Sequence, residues 1–311
     1  MQPSQKILAM RAQAMAHIRQ FFATRNVQEV STPLLTAYGV TDPHVGSLKL
    51  DDQVASTSRS RSLFLRTSPE YNHKRLLAEG SSDIYELGPV FRADEHGLRH
   101  RSEFILLEWY RLGWDWRALA AELLELIQSM SVRAWSVEYR SWLSLSLETL
   151  GLDASQADPT ALQQALQDSS GGMPLDLDHD ALLDWWFATT VQPTFGNQTL
   201  TVVYDYPAAQ AALARLKPGQ ANWAERFEVF AGPLELANGY AELTDADEQR
   251  RRFDADNQKR TRLGLETMTA DPDLLDAMRK GLPACAGVAM GFERLLMALN
   301  AVEDIEQVCL F

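Results

Sequence analysis

Apolar residues at the start of the chain recur at helical spacing: Ile7, Met10, Ala14, Ile18 and Phe21 fall on one face of a helix over residues 4–24. Beyond it the period shortens. Segments near 27–31, 62–66, 83–92 and 103–111 read as strands, the last carrying an apolar run from Phe104 to Leu107 that ends in Glu108. From Arg117 to about Leu150 the helical interval returns, and residues 151–174 mix short helices with turn formers such as Asp158-Pro159 and Gly171-Gly172. Strands resume near 199–206, 225–231 and 234–243. A charged helix follows from Asp245 to about Arg262, and a small-residue strand starting at Gly287 runs into an amphipathic helix that begins near Glu293. The pattern predicts an α+β fold, an antiparallel sheet of about six strands flanked by helices, with a mainly helical region at about 115–195. Trp114, Trp116, Trp135, Trp142, Trp185 and Trp186 in that region read as core or interface residues. Arg250, Arg251, Arg252, Lys259 and Arg260 read as one solvated helix face.

Composition narrows the class. With 311 residues, 46% of them hydrophobic, the chain can bury a substantial core. A formal net charge of −13 argues against a broad nucleic-acid footprint, which needs a basic face. Cys285 and Cys309 supply neither a disulfide framework nor metal-ligand spacing. The absence of a basic-then-apolar leader and of a bilayer-length apolar run leads to the expectation of a cytoplasmic protein without membrane contact.

Candidate chemistry concentrates between Phe91 and Arg111, FRADEHGLRHRSEFILLEWYR, two strands joined by a charged loop. Arg92 sits just inside the first strand, while Arg99, His100 and Arg101 crowd the connection. Guanidinium forks suit phosphate or carboxylate oxygens, Phe104 offers a face for stacking, and Glu108 at the end of a buried strand calls for a cation. A solvated hairpin with surface charges fits the same segment equally well. GVAMGFERLLMAL, from Gly287 to Leu299, places Arg294 in the first turn of a helix, where Gly287 and Gly291 allow close approach of a phosphate or nucleotide.

These two segments resemble the second and third signature motifs of class II aminoacyl-tRNA synthetases, in particular the lysine branch. IRQFFATRNVQEVSTPLL (18–35) resembles the first motif. TSPEYNHKRLL (67–77) and RFEVFAGPLELANGYAELTDADEQRRRF (226–253) resemble the segments that form the lysine pocket and the magnesium site. Only about one helix precedes the first motif, so the architecture expected over 1–311 is a single class II catalytic domain without an anticodon-binding domain. That resembles the free-standing lysyl-tRNA synthetase paralogues of bacteria, whose acceptor is a lysine side chain of elongation factor P.

The resemblance implies ATP-dependent activation of lysine, as (R)-β-lysine, to an aminoacyl adenylate, by a homodimer built through the first motif. Arg92 is then expected to hold the substrate carboxylate and α-phosphate, Phe104 and Arg294 to sandwich adenine, and Arg99 and His100 to reach the outer phosphates. Glu228 and Glu235 are expected to hold Mg²⁺. Glu70, Glu108, Glu242, Asn238, Tyr110 and Tyr240 form a pocket for a dication, and buried ion pairs with the protein's own arginines remain the alternative for the three acids. Three positions depart from the family pattern. Asp94 followed by Glu95 leaves open which carboxylate serves the adenine or ribose, HRSEF (100–104) replaces a proline-containing turn, and Ala289 stands where lysyl-tRNA synthetases have glycine. The Ala289 methyl narrows the space beside the substrate amine and is expected to favour a β-amino isomer. A ligase loading tRNA or another carrier, a non-catalytic synthetase-like regulator and a small-product amide synthetase remain open at this point.

Overall fold

The computed structural model describes residues 5–51, 62–93, 95–170 and 177–311; Asp94 and the Gly171-Gly172 turn expected from the sequence lie outside them. The chain opens with α1 (Gln5–Ala23), β1 (Gln28–Glu29), β2 (Leu35–Thr36), β3 (Lys49–Asp51), β4 (Ser62–Leu65), α2 (Glu70–Ala78), β5 (Ile84–Phe91) and β6 (Glu103–Leu112). There follow α3 (Trp116–Met130), β7 (Ser136–Ser141), α4 (Trp142–Leu150), α5 (Pro159–Ser170), α6 (His179–Trp186), β8 (Thr199–Pro207), β9 (Leu216–Lys217), β10 (Gln220–Ala231) and β11 (Leu234–Ala241). The last elements are α7 (Ala246–Arg262), α8 (Pro272–Gly281), β12 (Cys285–Gly291) and α9 (Phe292–Asn300). Two compact units emerge, one from 1–114 with 242–311 and the other from 115–241.

In the first unit β1, β5, β6 and β12 lie side by side, and β2, β4 and β3 form a separate small sheet. β6 pairs antiparallel with β5 and β12, whereas β1 runs parallel to β5. α1 buries Ala14, Ile18, Phe21 and Phe22, and Phe22 stacks on Tyr85 and meets Trp109 edge-on. Its face also buries Arg11, whose guanidinium bonds Glu293 at the start of α9 at 2.8 Å.

In the second unit β11, β10, β8 and β7 are neighbours and β9 adds to β10. Trp142 and Trp186 meet edge-on in its core with Leu162, Leu182 and Phe230, and Trp116 stacks on the cross-strand pair Tyr204 and Phe227. Among the described residues these sheets hold more strands than the six expected, and they mix parallel with antiparallel pairs.

Two local expectations need correction. The interval read as helical from Arg117 to Leu150 is broken by β7, which runs parallel to β8. SVEYRS alternates with a period of two, so Val137 and Tyr139 face outward while Glu138 accepts a hydrogen bond from Thr201 at 2.8 Å. Arg260 is not on a solvated face: it is buried and donates to the carbonyls of Glu266 at 2.6 Å and Asp42 at 3.2 Å. Asp245 caps α7 by accepting from the Asp247 and Glu248 amides.

Candidate active site

Glu108 on β6 lies in register with Glu86 on β5 and with Ala289 on β12, so three strands present these side chains to one face of the sheet. Two carboxylates directly opposite each other repel unless something sits between them. Helix α2 supplies that group: His73 Nε2 is 3.1 Å from Glu86 Oε2, and Nδ1 is 3.6 Å from Glu108 Oε1. Burial disfavours a charged His73, but the Glu108 and Glu86 carboxylates outweigh it and raise its pKa above the ordinary value. Glu86 is further closed off by Arg66 at 2.7 Å and by the Thr32 amide and hydroxyl. Burial would raise its pKa, yet the His73 hydrogen bond and the Arg66 charge lower it to about 2. Glu108 accepts from Ser68 and from the Tyr110 hydroxyl, both at 2.9 Å.

The next residue of α2 does the corresponding work on the other acids. Lys74 Nζ lies 2.7 Å from Glu70 Oε1 and 2.7 Å from Glu242 Oε2, with its side chain wholly buried. In place of ion pairs with the protein's own arginines, the alternative left open for the three acids, the structure shows a different cation: Lys74 neutralises part of the charge of Glu70 and Glu242. Burial pushes Glu242 up to about 8; Lys74 acts against this, and Glu70 and Glu108 add to it. Burial raises Glu70 as well, with Lys74 opposing and Glu108 reinforcing the shift. Among the described residues neither Glu242 oxygen has a hydrogen-bond partner, Oε2 meeting Lys74 as an ion pair and Oε1 meeting no cation. A Cβ added at Gly287 would stand 2.4 Å from that oxygen and 2.4 Å from the Tyr110 ring, so only glycine leaves the site intact. Ala289, two residues on, is partly exposed on the same strand face.

The nucleotide candidates of this unit gather around the β5–β6 connection. Arg92 donates from Nε to the Thr67 carbonyl at 3.3 Å and from Nη1 to Glu95 at 3.4 Å, and its guanidinium stands 5.2 Å over the half-buried Phe104 ring. Phe104 thus has Arg92 as a neighbour, and Glu95 is the Arg92 partner. Arg294 Nε donates to the Arg99 carbonyl at 3.3 Å, tying the first turn of α9 to the loop that also carries the exposed His100. Beside it, Glu293 Oε2 accepts from the Ile105 amide at 2.9 Å, next to Phe104.

In the second unit Arg226 and Tyr240 are in register, as are Glu228 and Asn238. The register then shifts so that Phe230 faces Glu235, an irregularity that returns Glu235 to the face of Asn238 despite their odd separation. Arg226 binds Glu228 Oε1, donates to Asn238 Oδ1 at 3.2 Å, and lies 4.5 Å from the Tyr206 ring. Tyr206 donates to Glu228 Oε2 at 2.7 Å, and Asn238 donates to the Tyr240 hydroxyl at 2.9 Å. Burial raises the pKa of Glu228; Arg226 opposes this and Glu235 adds to it. Glu228 and Glu235 are hard-oxygen donors of the kind Mg²⁺ takes, and both Glu228 oxygens are engaged here, Oε1 by Arg226 and Oε2 by Tyr206. Among the described residues no cluster of three or more His, Cys, Asp or Glu is arranged to hold a metal alone.

The family model for class II tRNA synthetases (D, K and N) matches residues 1–311. The chain belongs to this family. It is 41% identical over 306 residues to a Vibrio cholerae protein named elongation factor P–(R)-β-lysine ligase, covering 98% of this chain and 94% of that one. Proteins of the same name from Pasteurella multocida (40% over 312 residues) and Photorhabdus laumondii (41% over 314) cover 100% of this chain and 96% of theirs. No described helix is long and apolar enough to cross a membrane.

Sequence reasoning passed over Lys74, His73, Arg66 and Arg226. Lys74 carried a signal, since Glu70 and Lys74 are four apart on a helix, and Arg226 lies two residues before Glu228 on a strand. The Arg66–Glu86 and Arg11–Glu293 pairs carried none, because their members are far apart in sequence.

Proposed function

We propose that this chain activates lysine, as (R)-β-lysine, with ATP and transfers it to a lysine side chain of elongation factor P. The names of relatives that match it almost end to end support this reading. The observation that carries it is Glu242 Oε1, a buried carboxylate oxygen without a donor beside a glycine that cannot be enlarged. Such an acceptor suits an ammonium brought by the substrate.

Activation joins a substrate carboxylate oxygen to the α-phosphorus of ATP and breaks the bond to pyrophosphate. The acceptor amine then attacks the activated carbonyl, loses a proton and releases AMP. Neither step needs a nucleophile from the enzyme; both need positioning and charge neutralisation. Arg92 holds the substrate carboxylate and the α-phosphate, and Phe104 with Arg294 receives the adenine. Arg99 and His100 take the outer phosphates. Glu70, Glu108, Tyr110 and Glu242 serve the substrate's ammonium groups, as do Asn238 and Tyr240. Glu228 and Glu235 would hold Mg²⁺, which would supply positive charge to offset the phosphates. A homodimer through the segment 18–35 and a cytoplasmic location accompany this reading.

The test is the intact mass of elongation factor P after incubation with the enzyme, ATP and each lysine isomer. Addition of one lysyl unit, fastest with (R)-β-lysine, is expected. An unmodified factor alongside charged tRNA would reassign the acceptor.

A further inference from the structure

Lys74 is a fully buried cation of α2 that the reaction described above does not use. Its ammonium bridges Glu70 and Glu242 at 2.7 Å each, and its side chain has no solvent exposure. Burying an ammonium costs several kcal/mol before pairing, so a lysine kept here has a function beyond filling space. In an ion pair that serves packing alone, the acceptor oxygens are normally satisfied. Here they are not: neither oxygen of Glu242 has a hydrogen-bond donor, Oε2 meeting Lys74 as an ion pair and Oε1 lying, like the Tyr110 ring, hard against Gly287. With Glu242 ionised, two carboxylates and one ammonium leave a single negative charge, matched by one incoming ammonium.

We propose that Lys74 is a positioning residue that fixes the Glu70 and Glu242 carboxylates and sets the pocket's charge so that it accepts one substrate ammonium between them. This deepens the lysine-activation reading and rests on it. Replacing Lys74 by an uncharged residue leaves two buried carboxylates facing each other, so one takes up a proton and the other loses its alignment. Arginine keeps the charge beside both carboxylates in a different shape. The substrate then has to supply what Lys74 supplied, and its affinity falls while ATP handling, which uses other residues, is unaffected.

The experiment is lysine-dependent ATP–pyrophosphate exchange by the full chain, with Lys74→Met, Lys74→Ala and Lys74→Arg. For Lys74→Met the lysine KM is expected to rise by about thirtyfold or more with the ATP KM within about twofold, a split that general loss of structure does not give. Lys74→Arg recovers most of the loss, and added propylammonium partly restores Lys74→Ala. Unchanged lysine KM in Lys74→Met, or equal rises for lysine and ATP, overturns the inference. Should the neutral variants not fold, the wild-type chain with ¹⁵N-labelled lysine side chains provides the second measure. The Lys74 ζ-nitrogen resonance is expected to shift on addition of lysine and not of ATP alone, and a resonance indifferent to lysine overturns the inference equally. Absence of any lysine-dependent exchange by the wild-type enzyme would instead count against the functional reading itself.

Discussion

Glu86 and Glu242 are the same residue type, almost equally buried at 4% and 2% exposure, and each is met by one of two consecutive residues of α2, His73 and Lys74. Their environments push them in opposite directions. Glu86 receives hydrogen bonds from Thr32 and His73 together with the Arg66 charge, and its pKa falls to about 2. Glu242 has the Lys74 ion pair alone, faces Glu70 and Glu108, keeps both oxygens without a hydrogen-bond donor, and rises to about 8. The supply of donors, rather than depth, separates the two carboxylates, and the one left short of donors is the one proposed to meet the substrate. The two clusters share a helix, so α2 carries a closed polar network and an open one in adjacent positions.

The largest effect should come from breaking the closed side. Arg66→Met strands the Glu86 charge in the interior and is expected to lower stability by about 3–5 kcal/mol, read by denaturant unfolding. If stability hardly changes, the closed network does not hold the fold as argued.

A medium effect separates the two acids by pH. Glu86 is depressed below its ordinary 4.5, so its contribution to stability is present above that value and is lost as pH falls towards about 2. Glu242 is raised above 4.5, so the fold favours its protonated form. That contribution is present at low pH and is lost as pH rises through about 8. Binding of an ammonium needs the ionised Glu242, so the lysine KM should fall by up to about tenfold per pH unit between pH 6 and 8, with the ATP KM nearly flat. A lysine KM independent of pH over that range would sever Glu242 from the substrate.

The smallest effect concerns the wall of the open side. Ala289→Gly removes a methyl in register with Glu108 and should raise the rate with α-lysine relative to (R)-β-lysine by about tenfold, within the 1–3 kcal/mol that a methylene decides. Equal relative rates in pyrophosphate exchange would remove Ala289 from the pocket.

Much of this was legible in the sequence where signals are local. The helical period from Ile7 to Phe21 marked α1, the apolar run after Phe104 marked β6, and the switch of period before Glu293 marked the β12–α9 turn, each within a residue or two. β7 was hidden because six residues of alternation sit between two helices with strong periodicity. The family motifs pointed to Arg92, Phe104, Glu108 and Arg294 as site candidates. What compensates the acids was not legible: charge composition says that cations exist, while the sheet register and the docking of α2 decide which acid each one meets. Arg260 shows the same limit, since its carbonyl partner at Asp42 lies 218 positions away.

Glu86→Gln and Glu242→Gln, measured side by side for unfolding free energy and for lysine KM in pyrophosphate exchange, test the comparison most directly. Glu86→Gln is expected to cost about 2–3 kcal/mol of stability with little change in lysine KM. Glu242→Gln is expected to keep stability within about 1 kcal/mol and to raise the lysine KM by about a hundredfold. The same outcome from both substitutions, in either readout, would contradict the account.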